Sequence, residues 1–267
     1  MAEKLDPENL LAAVTPLLAG PPLPDAAVGQ AFADAMRALA RFDHAVVFAY
    51  RGHERPLHLY STFDAPQFEI FVTLYQAGPF LLDPFFHAAR AQRSGLWRMR
   101  ELAPDRFFSS EYFRTYYAQT KLAEEIGFFV PVGSPAGGEV TVALSLMRNE
   151  ASRAFSAGEL RWLGQAEPFV VALTRTFWSG LAERFGAAGV SGKPPPEARA
   201  ETVWRKLDLT RREAAIVELV LQGHSSEAIG RRLGISTGTV KVHRRNVYRK
   251  LNITSQTQLF SLCLRSA

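Results

Sequence analysis

Alternating and helically spaced apolar side chains divide the first two thirds of the chain into strands and helices. Residues 43–51 (DHAVVFAYR) and 56–63 (PLHLYSTF) are dense in β-branched and aromatic side chains and flank the turn-like stretch 52–55, which predicts a hairpin. Residues 126–133 (IGFFVPVG) and 138–148 (GEVTVALSLMR) predict two further strands, joined through residues 134–137. Between the pairs, 65–78 and 111–120 repeat their apolar residues at helical spacing. Ser156 and Glu159 form a capping box that opens one long amphipathic helix through Leu163, Val170, Leu173 and Leu181 to about residue 185.

The pattern changes after residue 200. Thr210 and Glu213 make a second capping box, followed by Ile216, Val217, Leu219, Val220 and Leu221, with Gly223 at a C-cap position. Ser225 opens a short second helix carrying Ile229 and Leu233. The turn Gly234-Ile235-Ser236 leads into a third helix from Thr237 to about Leu251. A last helix starts at Thr254 or Ser255, with Ser255 and Gln258 as its capping box, and buries Leu259, Phe260 and Leu262. Four short helices with a tight turn between the second and third make a helix-turn-helix. Residues 186–200 (GAAGVSGKPPPEARA) follow neither period and contain three consecutive prolines. The chain therefore reads as an α+β domain over 1–185, a linker over 186–202 and an all-α domain over 203–267. An antiparallel sheet flanked by helices is a sandwich of the PAS/GAF general type, which commonly encloses a small-molecule cavity.

Charge separates the two domains further. The 267 residues carry a net +5, but residues 203–267 hold twelve Lys and Arg against four acids, which leaves the front of the chain at −3. A basic excess confined to one small domain is the footprint of a polyanion-binding module. On the third helix, Val240, Val247 and Leu251 recur at inward spacing. Lys241, Arg245 and Arg249 recur every four residues on the other side, beside Val242, Arg244 and Tyr248. A cationic helix of this diameter fits the major groove of B-DNA. There Lys and Arg meet guanine acceptors or phosphates and Val242 meets a thymine methyl, while Thr239, Ser225 and Arg232 position the phosphate backbone.

Residues 209–251 (LTRREAAIVELVLQGHSSEAIGRRLGISTGTVKVHRRNVYRKL) closely resemble the LuxR/FixJ, or GerE-type, helix-turn-helix. The resemblance implies a homodimeric transcription factor, with base contacts near Lys241, Val242 and Arg245 and dimer contacts from the last helix. Ala228, Gly230 and Ser226 depart from the family's usual acid, Ala and Asn, a change expected to cost stability in the second helix. Residues 71–97 (FVTLYQAGPFLLDPFFHAARAQRSGLW) resemble the central segment of the autoinducer-binding domain of quorum-sensing regulators. Asp83-Pro84 and Trp97 match its ligand-binding Asp-Pro and a pocket Trp, and Gly127-x-x-x-Pro131 matches its glycine strand. Tyr75 matches the Tyr on the acyl carbonyl. Phe71 stands where that family has a Trp donating to the lactone carbonyl, and Phe has no N–H to donate.

The residues themselves give Asp83 two compatible roles. It caps the helix that follows, with Pro84 at N1, or it meets a ligand N–H or O–H within the apolar run 80–86. Tyr60, Tyr75, Tyr112 and Tyr116 are candidate cavity residues. The implied effector is small and largely apolar with a polar handle; the alternative is a front domain that binds no ligand and serves dimerisation or protein partners. Catalysis is not expected: H-E-x-x-H, G-x-S-x-G, G-x-G-x-x-G and the P-loop pattern are all missing. No metal or cofactor is expected, since the six histidines have no ligand spacing and the single cysteine, Cys263, excludes a disulfide framework. No apolar run approaches a membrane span and the first residues lack a cationic n-region, so a cytoplasmic protein is expected.

Overall fold

The computed structural model describes residues 6–133, 139–188 and 207–266. Helices α1 (Pro7–Val14) and α2 (Asp25–Arg37) precede strands β1 (His44–Arg51) and β2 (Leu57–Ser61). Next come α3 (Ala65–Phe68), which widens into a π-turn segment over Glu69–Leu74, α4 (Pro84–Arg90), β3 (Gly95–Arg98), α5 (Met99–Leu102) and α6 (Glu111–Thr115). Strands β4 (Leu122–Val132) and β5 (Val140–Asn149) lead to α7 (Ala157–Gln165), α8 (Glu167–Trp178) and α9 (Leu181–Ala188). The tail holds α10 (Arg211–Gln222), α11 (Ser226–Leu233), α12 (Thr237–Lys250) and α13 (Gln256–Ser266).

The strands pair antiparallel in the order β2-β1-β5-β4-β3. Along β1, Ala45, Val47 and Ala49 turn to one face and Val46, Phe48 and Tyr50 to the other, and all six are buried. A sheet that is apolar on both faces needs a layer on each. On the first face, Val28, Phe32 and Met36 of α2 pack with Leu163, Val170, Leu173, Trp178 and Phe185 of α7–α9. On the second, Phe71, Tyr75, Phe85, Phe86 and the tyrosines of the α6 region cover Phe48, Tyr50, Phe129 and Met147. The α+β sandwich expected from the pattern is the fold.

The single long helix expected from residue 156 is instead three. The Ser156–Glu159 capping box forms, but Pro168 in the first turn of α8 has no N–H to continue α7, and Ser179-Gly180 separates α8 from α9. Arg148 of β5 fastens α7 to the sheet. Its guanidinium, 6% exposed, pairs with the 5% exposed Glu159 and donates to the carbonyls of Arg41, Arg153 and Ala154. Helix α9 runs past the expected boundary at residue 185, and the linker reading over 189–202 lies outside the described residues. No helix among the described residues is long and apolar enough to cross a membrane.

The tail folds as its caps predict. Thr210, Ser225 and Ser236 each accept a hydrogen bond from a backbone N–H of the first turn they open. Gly223 ends α10 at φ +100°, and a Cβ there would also come within 3.0 Å of Ser110 in the front domain. Ile216, Val217, Val220, Ile229, Val240, Val247, Leu259 and Phe260 form the core, continuous with the second face of the sheet. The departure at Gly230 has a packing reason: a Cβ at this position would lie 2.7 Å from the Ile235 carbonyl oxygen.

Restoring the family's alanine therefore tests the packing against propensity. Gly230→Ala is expected to destabilise the chain by about 1–3 kcal/mol, although alanine is about 1 kcal/mol the better helix former. Urea denaturation followed by circular dichroism reads it; an unchanged or higher midpoint would show that the Ile235 carbonyl moves aside.

Candidate functional site

A cavity of about 30 Å³ lies between the second face of the sheet and its helices. The end of the α3 segment brings Phe71 and Tyr75 to it, β1 brings Phe48 and Tyr50, and the stretch from α6 brings Tyr112, Tyr116 and Tyr117. Strands β4 and β5 add Glu125 and Ser145, and the chain entering α4 adds Asp83. Asp83 is 6% exposed and both of its oxygens are engaged. Oδ1 accepts from the Phe85 N–H at 2.9 Å, capping α4, and Oδ2 accepts from the Tyr75 hydroxyl at 2.6 Å. The Tyr75 hydroxyl in turn lies 2.9 Å from that of Tyr50. Asp83 is thus a helix cap and a cavity wall at once.

Two buried carboxyls share the cavity, and both are pushed toward their protonated forms. Burial raises the Asp83 pKa to about 6, against the lowering hydrogen bonds from Tyr75 and Phe85. Burial and then the charge of Asp83 raise Glu125 to about 8, against the hydroxyls of Ser145 and Tyr117. Tyr50, Tyr75, Tyr112, Tyr116 and Tyr117 are pushed well above the ordinary tyrosine range, first by burial and then mostly by these carboxylates.

In the tail, α12 separates its faces as the spacing predicts. Val240 and Val247 are fully buried, while Lys241, Val242, Arg245 and Arg249 are exposed, Val242 at 44%. Thr239 and Arg232 are exposed as well. Arg244 is half-buried and donates to Ser226 Oγ at 3.3 Å, and Arg249 donates to Asn246 at 3.4 Å. Ser225 caps α11, and its own backbone N–H donates to the Asp105 carboxylate of the front domain at 3.0 Å. The next residue, Arg106, donates its N–H to the Gly223 carbonyl at 2.9 Å.

Residues 207–263 match the family model described as bacterial regulatory proteins, luxR family. A protein of Aeromonas salmonicida, named for an HTH-type transcriptional regulator in the exeN 3′ region, is 32% identical over 189 residues, spanning 68% of this chain and 93% of that protein. The chain belongs to the luxR family of bacterial regulatory proteins. Among solved structures, the VqsR LBD domain of Pseudomonas aeruginosa is similar over 64% of this chain and 92% of its own, at 24% identity and a TM-score of 0.49. SdiA of Escherichia coli is similar over 98% of both chains, at 18% identity and a TM-score of 0.43.

As a luxR-family transcriptional regulator, the protein carries its DNA-binding helix-turn-helix in the tail. In the front domain the structure brings Phe71, Tyr75 and Asp83 to one cavity, with Tyr112 and Tyr116. It leaves Tyr60 and Trp97 out. Tyr60 faces the opposite side of the sheet, where its ring covers Gly29 and its hydroxyl donates to Gln30 at 2.8 Å. Trp97 sits half-buried on the edge strand β3, its indole donating to the Ser94 carbonyl at 2.8 Å and stacked under Arg93. Sequence reasoning missed Glu125 and Asp105. The adjacent acids Glu124 and Glu125 at the start of an otherwise apolar strand were a usable signal; nothing in the loop around Asp105 was. No group of three or more candidate metal ligands occurs among the described residues.

The sign of the pH response follows from the raised values. Both carboxyls keep protons in the fold at pH values where the unfolded chain, with ordinary values of 3.8 and 4.5, has lost them. The stability they contribute is full below the unfolded values and is lost as pH rises through about 6 and then about 8. The urea midpoint is expected to fall between about pH 5 and pH 8 and to level off above it, and Glu125→Gln to flatten that slope. A slope unchanged in the variant would place the titrating group elsewhere.

Proposed function

We propose that this luxR-family regulator is a dimeric promoter-binding protein gated by a small, largely apolar effector with a polar handle, held in the Tyr75–Asp83 cavity. One observation carries this reading: a single short segment touches both the cavity and the DNA-binding tail. Tyr112, Tyr116 and Tyr117 line the cavity, while Asp105, Arg106 and Ser110, a few residues before them, meet Ser225 and Gly223. An effector larger than the present volume must displace those tyrosines, and displacement shifts the population of the docked tail. The docking also has an electrostatic cost for DNA. Helix N-termini attract phosphates, and at α11 the Asp105 carboxylate occupies that position.

In the DNA-bound state, Lys241, Val242 and Arg245 read base edges, and Thr239, Ser225, Arg232, Arg244 and Arg249 hold phosphates. The family resemblance supports a homodimer joined in part through the last helix. The small cavity favours a second reading, in which the front domain binds no effector and serves dimerisation or protein partners. Small molecules extracted from the purified chain but not from Asp83→Asn support the gated reading; their absence from both favours the second.

Two variants test the assignments on DNA selected by the wild-type chain from a random pool. Lys241→Ala and Arg245→Ala are each expected to weaken binding by about 1–3 kcal/mol at fixed salt, with the circular dichroism spectrum unchanged. Undiminished affinity in both would move the reading face off α12. Asp105→Ala is expected to tighten effector-free DNA binding several-fold, roughly 1 kcal/mol, by freeing the α11 N-terminus. Equal affinity of this variant and the wild type would remove the docking contact from the gating.

A further inference from the structure

Buried carboxylates in this protein follow a rule, and the cavity breaks it. Five carboxylates of the described residues are less than a tenth exposed: Asp83, Glu111, Glu124, Glu125 and Glu159. Glu111 pairs with Arg114, Glu124 with Arg98 and Glu159 with Arg148. The two that face the cavity have no cationic side chain among its lining residues. Glu124 and Glu125 make the contrast at adjacent positions. Successive strand residues point to opposite faces, so Glu124 meets Arg98 and the Phe155 N–H while Glu125 turns to the cavity and Asp83.

The rest of the wall suits the same missing partner. Tyr112, 1% exposed, lines the cavity beside the two carboxyls. The rings of Phe48, Tyr75 and Tyr116 lie around the pair, and aromatic faces attract cations, most strongly out of water. Phe71 offers no donor to a carbonyl, and the Asp83 carboxylate would repel a carbonyl oxygen. The volume of about 30 Å³ takes a group of the size of an ammonium, comparable to one or two waters.

We propose that the effector of this cavity is cationic: a primary ammonium on an apolar body, its N–H donors shared between Asp83 and Glu125. The proposal rests on the reading of the cavity as an effector site and names its ligand class. Glu125 is the specificity-determining residue. It adds a demand for positive charge, because once Glu125 ionises two like-charged carboxylates face each other in a low-dielectric space, and only a cationic head offsets both.

Binding carries a proton signature. The pair retains a proton near neutrality, and the ammonium takes its place, so binding tightens as pH rises. The groups facing the pair from the surrounding elements are Tyr50, Tyr75, Tyr112, Tyr116, Tyr117 and Ser145. Burial holds the five phenols protonated throughout this range, which leaves the two carboxyls as the titrating groups.

Calorimetry on the full-length chain with three probes tests this: hexylammonium chloride, hexanol and hexanoyl-homoserine lactone. Hexylammonium is expected to bind saturably, to gain up to about tenfold per pH unit between roughly pH 6 and pH 8, and to lose about tenfold or more in Glu125→Gln. The variant is expected to keep the circular dichroism spectrum of the wild type, which shows that it is folded. Saturable binding of hexanol or the lactone in place of the amine overturns the cationic class and leaves an effector site standing. Amine binding indifferent to Glu125→Gln and to pH overturns the role of Glu125. Saturable binding by none of the three overturns both the class and the effector-site reading.

Discussion

The front domain turns on a carboxylate kept out of water. Asp83 ends a 3-10 turn, starts α4 and faces the sheet, so the cost of burying it must be met by bonds already inside the fold. One oxygen takes the Phe85 N–H, an end group that any helix leaves unpaired, and the other takes the Tyr75 hydroxyl. Those two bonds fix where α4 begins and where the α3 segment ends relative to β1, through Tyr50. The cavity is what remains between elements so placed. A carboxyl this constrained is structurally required whether or not a ligand ever meets it, which is why capping and binding were never true alternatives here.

The second constraint is continuity. The core of the tail runs without a break into the second face of the sheet, across the α6 segment. Gly223 serves both sides of that junction: its left-handed conformation ends α10, and its missing side chain admits Ser110 and Phe107. The chain from Asp105 to Tyr117 is therefore boundary, cap and cavity wall together. About ten residues of short, tightly turned helix separate the aromatic cluster around Tyr112 and Tyr116 from the contact at the α11 N-terminus. Interfaces of this sort switch between discrete packings more readily than they deform smoothly.

Legibility differed between the two domains for a physical reason. In the tail, Thr210, Gly223, Ser225 and Gly234 mark both ends of α10 and α11 and Ser236 marks the start of α12, whose two faces are distinct in charge; each of these signals acts within about four residues. In the front domain the hairpin and the central strands were equally plain, because β1 and β5 alternate between two buried faces. The helix after residue 156 was not, since Pro168 sits in a first turn where apolar spacing continues across the break. Helix α2 is rich in alanine and passed unremarked, although Val28, Phe32 and Met36 supply much of the first-face core.

The sequence by itself determined the strands, the helices of the tail, the two-domain order, the cationic reading helix and the family of the tail, because all of these depend on local caps, periods and charge. It also marked Asp83, Tyr75 and Phe71, which lie within thirteen residues of each other. Only the tertiary structure decided the composition of the cavity. Glu125 and Asp83 are 42 positions apart and meet because β4 lies inside the sheet while α4 crosses its face; Tyr60 and Trp97 are excluded by the face of one strand and the edge position of another. The same holds for Asp105 and Ser225, 120 positions apart. Contacts of that separation are set by which faces must be buried together, and no local pattern carries that information.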